Sequence, residues 1–275
     1  VRHFAASPRR MQLLGRPLVV WRAGSQLMAA SDVCPHMGAS LSEGRVCDGK
    51  LVCPWHGRAF GPEAERGFVP LTTYDDGQLL WVRAGGEEAS ERPYLPPRPA
   101  RALDATIRVE IACESRDVIA NRLDPRHGAH FHPYSFGRLR VIDQDDDSIT
   151  VRVAFKVFGP LAVEVDARFH CPDPRTIVMT IVNGEGEGSV VETHATPLSS
   201  DRTAMVELTL ADSDRFGFAI ARRASWLVRP AIAWSAKRLW REDASYAARL
   251  HALRKTAKVD RTQPLGIERA NARRD

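Results

Sequence analysis

The chain has 275 residues, 44% of them hydrophobic and 27% charged, with a formal net charge of +5. That is material for one large or two ordinary domains with a real core. No run approaches the ~18 uninterrupted apolar residues that a spanning helix needs, and no charged start with an apolar stretch marks a secretory signal after Val1.

In chain order, the first ninety or so residues read as short β segments. Leu18–Trp21 and Gln26–Ala30 flank Ala23-Gly24-Ser25 as a hairpin, and Leu79–Arg83 follows the turn Asp75-Asp76-Gly77. The stretch Arg92-Pro93-Tyr94-Leu95-Pro96-Pro97-Arg98-Pro99 cannot be a helix interior or a central strand, because proline lacks an amide donor and fixes φ. The domain boundary is placed there, giving residues 1–97 and 98–275. Thr106–Ile111 then alternates like a strand, and a polar helical stretch runs from about Ser115 to His127. Strands follow at Leu139–Asp143, Ile149–Phe158, Leu161–Phe169, Thr176–Val182, Ser189–Ala195 and Ala204–Leu210, broken by turn formers such as Phe158-Gly159-Pro160, Pro172-Asp173-Pro174 and Asn183-Gly184. Phe155, Val163 and Val165 alternate with Lys156 and Glu164, so one face of these strands is apolar. The run from about Phe218 to Lys258 is helical, with an interruption expected at Pro230. The fold class is therefore α+β.

The five cysteines, Cys34, Cys47, Cys53, Cys113 and Cys171, are an odd set and a poor disulfide framework. Two of them stand in metal-ligand spacing, which suits a reducing compartment, so a cytoplasmic location is expected. Sixteen residues separate Cys34-Pro35-His36 from Cys53-Pro54-Trp55-His56. Thiolate and imidazole both ligate iron, and a [2Fe–2S] cluster with two Cys on one iron and two His on the other needs this set of four. Zinc fingers usually place like ligands in each half, whereas here each half has one Cys and one His. Gly38, Gly44 and Gly57 allow the backbone to come close to the cluster. The two halves, Cys34-Pro35-His36-Met37-Gly38 and Cys53-Pro54-Trp55-His56-Gly57, resemble the Rieske signature. Arg58 departs from it, since one branch of the family often has Trp there, and Cys47 is read as a free thiol.

A second cluster of donors lies in Asn121-Arg122-Leu123-Asp124-Pro125-Arg126-His127-Gly128-Ala129-His130-Phe131-His132. Asp124 and His127 are three apart and can share a helix face. His127 and His132 are five apart and cannot on a regular helix, unless it opens near Gly128. Taken by itself a His-x₄-His pair is weak evidence for a metal, because histidines near helix ends are often ordinary polar residues. Beside a Rieske motif, Asp-x₂-His-x₄-His resembles the mononuclear-iron motif of Rieske non-heme iron oxygenases. The resemblance implies that His127 and His132 bind Fe(II), that Asp124 bridges the two metal centres between subunits, and that Asn121 lies near the iron without ligating it. His130 has no counterpart and reads as structural. The family takes its third ligand from a late helix, and Glu242-Asp243 resembles that position. Asp243 is favoured, with Glu242, Asp212 and Asp214 as runners-up. The resemblance further implies a helix-grip (START-like) antiparallel sheet gripping a long C-terminal helix around an apolar cavity. It implies an oxygenase component that hydroxylates or oxidatively demethylates a largely hydrophobic organic substrate with O₂, fed by a separate ferredoxin or reductase, and assembled as a homotrimer. The competing reading is an electron-transfer protein fused to a non-catalytic ligand-binding domain.

Between Ile220 and Lys258 there are ten Lys or Arg and only Glu242 and Asp243 as acids. A solvated basic face on a core helix is the plain reading. An acidic redox partner or an anionic membrane surface is the functional one. Nucleic acid is not expected, since no nucleic-acid fold signature accompanies the charge. Trp226, Trp234 and Trp240, interleaved with Arg222, Arg223, Arg229, Lys237 and Arg238, resemble an interfacial helix.

Overall fold

The computed structural model describes residues 7–83, 92–125, 127–158 and 161–262. The N-terminal part holds three small antiparallel sheets: β1 (Arg9–Leu13), β2 (Arg16–Ala23) and β3 (Gln26–Ser31); β4 (Arg45–Cys47), β5 (Lys50–Val52) and β6 (Ala59–Phe60); and the hairpin β7 (Thr73–Asp75) and β8 (Leu80–Val82). Alternate residues of β2 and β3 point inward, so Val19, Trp21 and Ala30 meet Leu41, Leu51, Phe60 and Phe68 in one core. Cys34 and Cys53 belong to the same core, which ties the motif loops to the best-packed part of the domain.

The C-terminal part is a seven-stranded antiparallel sheet. Strands β10 (Phe136–Gln144), β11 (Ser148–Phe158), β12 (Leu161–Asp173), β13 (Thr176–Gly184), β14 (Val190–Ser199) and β15 (Arg202–Ala211) run as a meander, and β9 (Leu103–Ile111) pairs with β15 at the far edge. Helices α1 (Ser115–Arg122) and α2 (His127–Phe131) connect β9 to β10, and α3 (Phe216–Arg223) and α4 (Ser225–Thr262) follow β15. Where α4 crosses α1 and the sheet, Trp240 and Ala247 pack with Val118, Ile107 and Met205.

Several expectations shift in detail. The polar helical stretch does not reach His127: α1 ends at Arg122, and a turn over 123–125 precedes α2. Gly128 is not where the helix opens, since the His132 amide bonds the Gly128 carbonyl at 3.0 Å. Strand β12 runs through Pro172, where a register shift between His170 and Asp173 accommodates it. The C-terminal helix breaks at Ala224 and not at Pro230. Pro230 lies early in α4 and removes a single ladder bond at an exposed position, so the helix continues through it. Gly159-Pro160 lies outside the described residues.

The two parts are joined firmly. The Leu14 and Gly15 amides bond the Pro197 and Leu198 carbonyls at 3.0 and 2.6 Å, and Trp81 meets His194 edge-on with centroids 4.8 Å apart. Arg98, from the proline-dense segment, donates to both Glu192 oxygens (2.5 and 2.8 Å) and to Asp76 (3.1 Å). Burial alone would push the Asp76 carboxyl up, but amide bonds from Leu79 and Gln78, the Trp81 indole and Arg98 outweigh it and hold it below its usual range. Burial acts the same way on Glu192, where His194 and Arg98 outweigh it. Replacing Arg98 with alanine would leave the fully buried Glu192 carboxylate short of its partner, a loss of about 3–5 kcal/mol, read as a lower unfolding midpoint. Both carboxyls are depressed in the folded state. Their contribution is therefore complete at neutral pH and lost as the pH falls below about 4, through their lowered folded values. In Arg98→Ala this acid-side loss should shrink, measured by denaturation between pH 3 and 7.

Candidate metal centres

The first centre is built from two matching loops. In each, the cysteine amide bonds a carbonyl five residues on (Cys34 to Ala39 at 2.9 Å, Cys53 to Arg58 at 2.8 Å), and a glycine amide returns to the cysteine carbonyl (Gly38 at 2.8 Å, Gly57 at 3.1 Å). Gly38 and Gly57 both have positive φ, +80° and +69°, which closes each loop and which L side chains rarely adopt. The loops face each other, with Cys34 and Cys53 buried and His36 and His56 exposed at the tip, their ring centroids 4.8 Å apart. Burial would push the Cys53 thiol up, but the Trp55 and His56 amides and the Cys34 thiol outweigh it, as suits a thiolate ligand. The buried Cys pair and the exposed His pair match a two-iron cluster, which takes two Cys on one iron and two His on the other. Cys47, with its thiol 3.8 Å from Asp48, is exposed and free, as expected.

The second centre lies between α2 and α4. One donor atom each from His127, His132 and Asp243 falls within 4.8 Å of the others. Asp243 Oδ1 is 2.8 Å from His132 Nε2 and 3.5 Å from His127 Nε2. Each ring is held from its other side. His127 Nδ1 lies 2.7 Å from the Asp124 carbonyl, so its N–H donates there and Nε2 is left for a metal. His132 Nδ1 lies 2.8 Å from Glu242 Oε2, which also accepts from the Tyr134 hydroxyl at 2.7 Å. Burial would raise the Asp243 carboxyl, but bonds from His127 and His132 outweigh it and hold it below its usual range, so it is an anionic ligand. Two imidazoles, each oriented by a further group, and one carboxylate, all facing a cavity, are the donor set of a non-heme Fe(II) site.

Of the carboxylates weighed from the sequence, Asp243 stands with the histidines and Glu242 behind His132. Asp212 bonds Ser189 and Ser213 instead, and Asp214 is exposed. Asp243 alone of the pair joins the two histidines as a donor, while Glu242 touches His132 from behind, on the opposite nitrogen. Asn121 is buried in α1 with neither side-chain amide atom paired. His130 is exposed.

The triad lines a cavity of about 380 Å³ whose walls include Val151, Val153, Phe155, Phe169, Met179 and Leu239. Asp124 also lines it. Sequence reading missed Glu207, a buried cavity carboxylate that accepts from the Trp240 indole at 2.6 Å and lies 3.9 Å from Arg122. Burial pushes its carboxyl up. Its signal was present, because period-two alternation puts Glu207 on the inward face of Met205.

An N-terminal cluster domain, a helix-backed antiparallel sheet and a two-histidine, one-carboxylate site together are similar to the architecture of Rieske non-heme iron oxygenases. A family model for the Rieske [2Fe-2S] domain matches residues 2–74. A second, described as a domain of unknown function (DUF5914), matches 84–258, more than half the chain, and the chain belongs to that family. The vanillate O-demethylase oxygenase subunit of Pseudomonas sp. (strain ATCC 19151) is 29% identical over 154 residues, half of this chain and 46% of that protein. The chloroplastic chlorophyllide a oxygenase of Chlamydomonas reinhardtii is 30% identical over 143 residues, 46% of this chain and 22% of that protein. The chain thus spans about half the length, or less, of the curated relatives it matches. A crystal structure of dicamba monooxygenase bound to dicamba superposes with a TM-score of 0.73 over 97% of this chain and 89% of that one; at 18% identity this likeness speaks for the fold.

Proposed function

We propose that the chain is an oxygenase component that uses O₂ and externally supplied electrons to hydroxylate or oxidatively demethylate a largely hydrophobic organic substrate. The observation that carries this is the triad of His127, His132 and Asp243 lining a largely apolar cavity, in a chain that also has a Rieske domain. Iron held by those three residues would supply the O₂-activating centre. The chain does the rest. The Asp124 carbonyl and Glu242 fix the tautomers and ring planes of the two histidines. The apolar walls desolvate the substrate and keep bulk water from the reacting atoms. Asn121, buried with both amide atoms unpaired, is assigned a place beside the iron, tuning it without ligating.

The electron path favours assembly. Arg98, Trp81 and the Leu14–Gly15 turn seat the Rieske domain on the outer face of the sheet, while Val191 of the same strand lines the cavity on the inner face. The chain's own sheet therefore stands between the two. The exposed His36 and His56 are instead free to meet a second copy, in which Asp124 would bridge to His127. A homotrimer closed in this way, reduced by a separate ferredoxin or reductase and located in the cytoplasm with peripheral contact to a membrane, completes the reading.

Iron and acid-labile sulfide per chain, measured after anaerobic reconstitution, test it. The expected result is three irons and two sulfides, falling to two irons in His127→Ala with the visible cluster spectrum unchanged. Two irons in both proteins despite excess Fe(II) would leave an electron-transfer protein with a ligand-binding domain.

A further inference from the structure

Among the described residues no helix is long and apolar enough to cross a membrane. Yet α3 and the start of α4 show large apolar side chains to solvent: Phe216 is 83% exposed, Trp226 72%, Trp234 65%, Leu227 58% and Ile220 54%. Not one residue of α3 is buried. A Trp-rich helix packed as core would not look like this, and of the three tryptophans here only Trp240 is interior.

The charge around these side chains is of one sign. From Arg215 to Arg241 there are seven Lys or Arg and no Asp or Glu. Some of the cations are tied down, Arg229 to Asp104 and Arg215 to Glu185. Arg223 and Lys237 have no carboxylate partner among the described residues. The exposed positions Trp226, Leu227, Pro230, Ala231, Trp234, Lys237 and Arg238 recur at three- and four-residue steps and make one outward stripe on α4, with Arg223 at the end of α3 just ahead of it, so the surface is apolar in the middle and cationic at both ends.

We infer that this α3–α4 stripe seats the protein on an anionic lipid surface, with Phe216, Ile220, Trp226, Leu227 and Trp234 entering the headgroup boundary and Arg223 and Lys237 meeting lipid phosphates. Exposed aromatics flanked by cations on a short amphipathic helix suit the plane of a membrane interface. A protein partner would more often be met by an interface core depleted of lysine and charge. The stripe also has a fixed relation to the cavity. Ile232, Ala236, Leu239 and Asp243 line the cavity, and at about 100° per residue they face away from Leu227, Pro230 and Trp234. Helix α4 is thus the wall between the lipid-facing surface and the substrate cavity, and this geometry holds whatever the cavity oxidises.

Flotation of the cluster-loaded protein with vesicles tests the inference. With phosphatidylcholine containing 30% phosphatidylglycerol at 50 mM salt, the protein is expected to float with the vesicles. Binding should fall steeply at 500 mM salt and on phosphatidylcholine alone. Trp226→Ser with Trp234→Ser should lower partitioning at least tenfold, and Arg223→Glu or Lys237→Glu by at least fivefold each. All four positions are exposed, so far-UV circular dichroism and the cluster spectrum should be unchanged. Absence of binding to anionic vesicles at low salt overturns the inference. So does binding that the double tryptophan variant retains, or self-association in sedimentation that this variant abolishes while vesicle binding is absent.

Discussion

Asp243→Asn is expected to abolish the mononuclear iron and lower turnover by a factor of about 10³ or more, the scale of the several kcal/mol a metal centre contributes to a barrier. Asparagine keeps the size of the side chain, and its amide can donate to the unprotonated His132 Nε2. What it removes is the negative charge that two nearly buried imidazoles have been arranged around. The protein should therefore fold, with its cluster spectrum intact, while iron per chain falls from three to two. Glu242→Gln should fall between parent and Asp243→Asn. It loses the charge behind His132 Nδ1 but no ligand atom, so iron affinity should drop about 10–100-fold. Full iron retention in Asp243→Asn would remove Asp243 from the ligand set.

Cys34→Ser is expected to do the converse, and to do it through stability. Cys34 lies in the same core as Val19, Trp21, Leu41 and Phe60. Cluster binding is therefore coupled to folding of the whole N-terminal domain. Serine is a poor thiolate substitute, so the cluster should be absent and the visible spectrum lost. The N-terminal domain should unfold at markedly lower temperature, while Fe(II) still binds at one equivalent through the triad. Because the seat of this domain includes Trp81 and Arg98, proteolysis should then open the region before 100 first. A variant with a normal cluster spectrum would exclude Cys34 as a ligand.

The cluster residues were legible because their chemistry is local. One residue separates Cys34 from His36 and two separate Cys53 from His56, so a single short loop presents both ligands of each pair. The triad was legible only in part. Helical periodicity put Glu242 and Asp243 about 100° apart, but it could not say which faced inward, because the rotation of α4 is set by Trp240 packing against Val118 and Met205 and bonding Glu207. The same limit explains the tryptophans. Trp226 and Trp240 point within about 40° of each other around a regular helix, and that direction is interior only where α4 meets α1 and the sheet. The local break at His127 was misplaced for a related reason. Gly128 looked like the weak point, but Pro125 ahead of the helix and Pro133 after it bound α2 on both sides.

Strand β14 carries two jobs on alternate residues. Val190, Glu192 and His194 face the Rieske domain and its linker, while Val191, Thr193 and Ala195 face the helices and cavity. Parity along ten residues thus keeps substrate selection and domain docking on separate sites of mutation. Val191, which lines the cavity, can drift toward a new substrate while Glu192 and His194 hold the N-terminal domain in place. An insertion or deletion of one residue would exchange the two sets at once. Divergence of this strand should accordingly proceed by substitution and never by a change in its length.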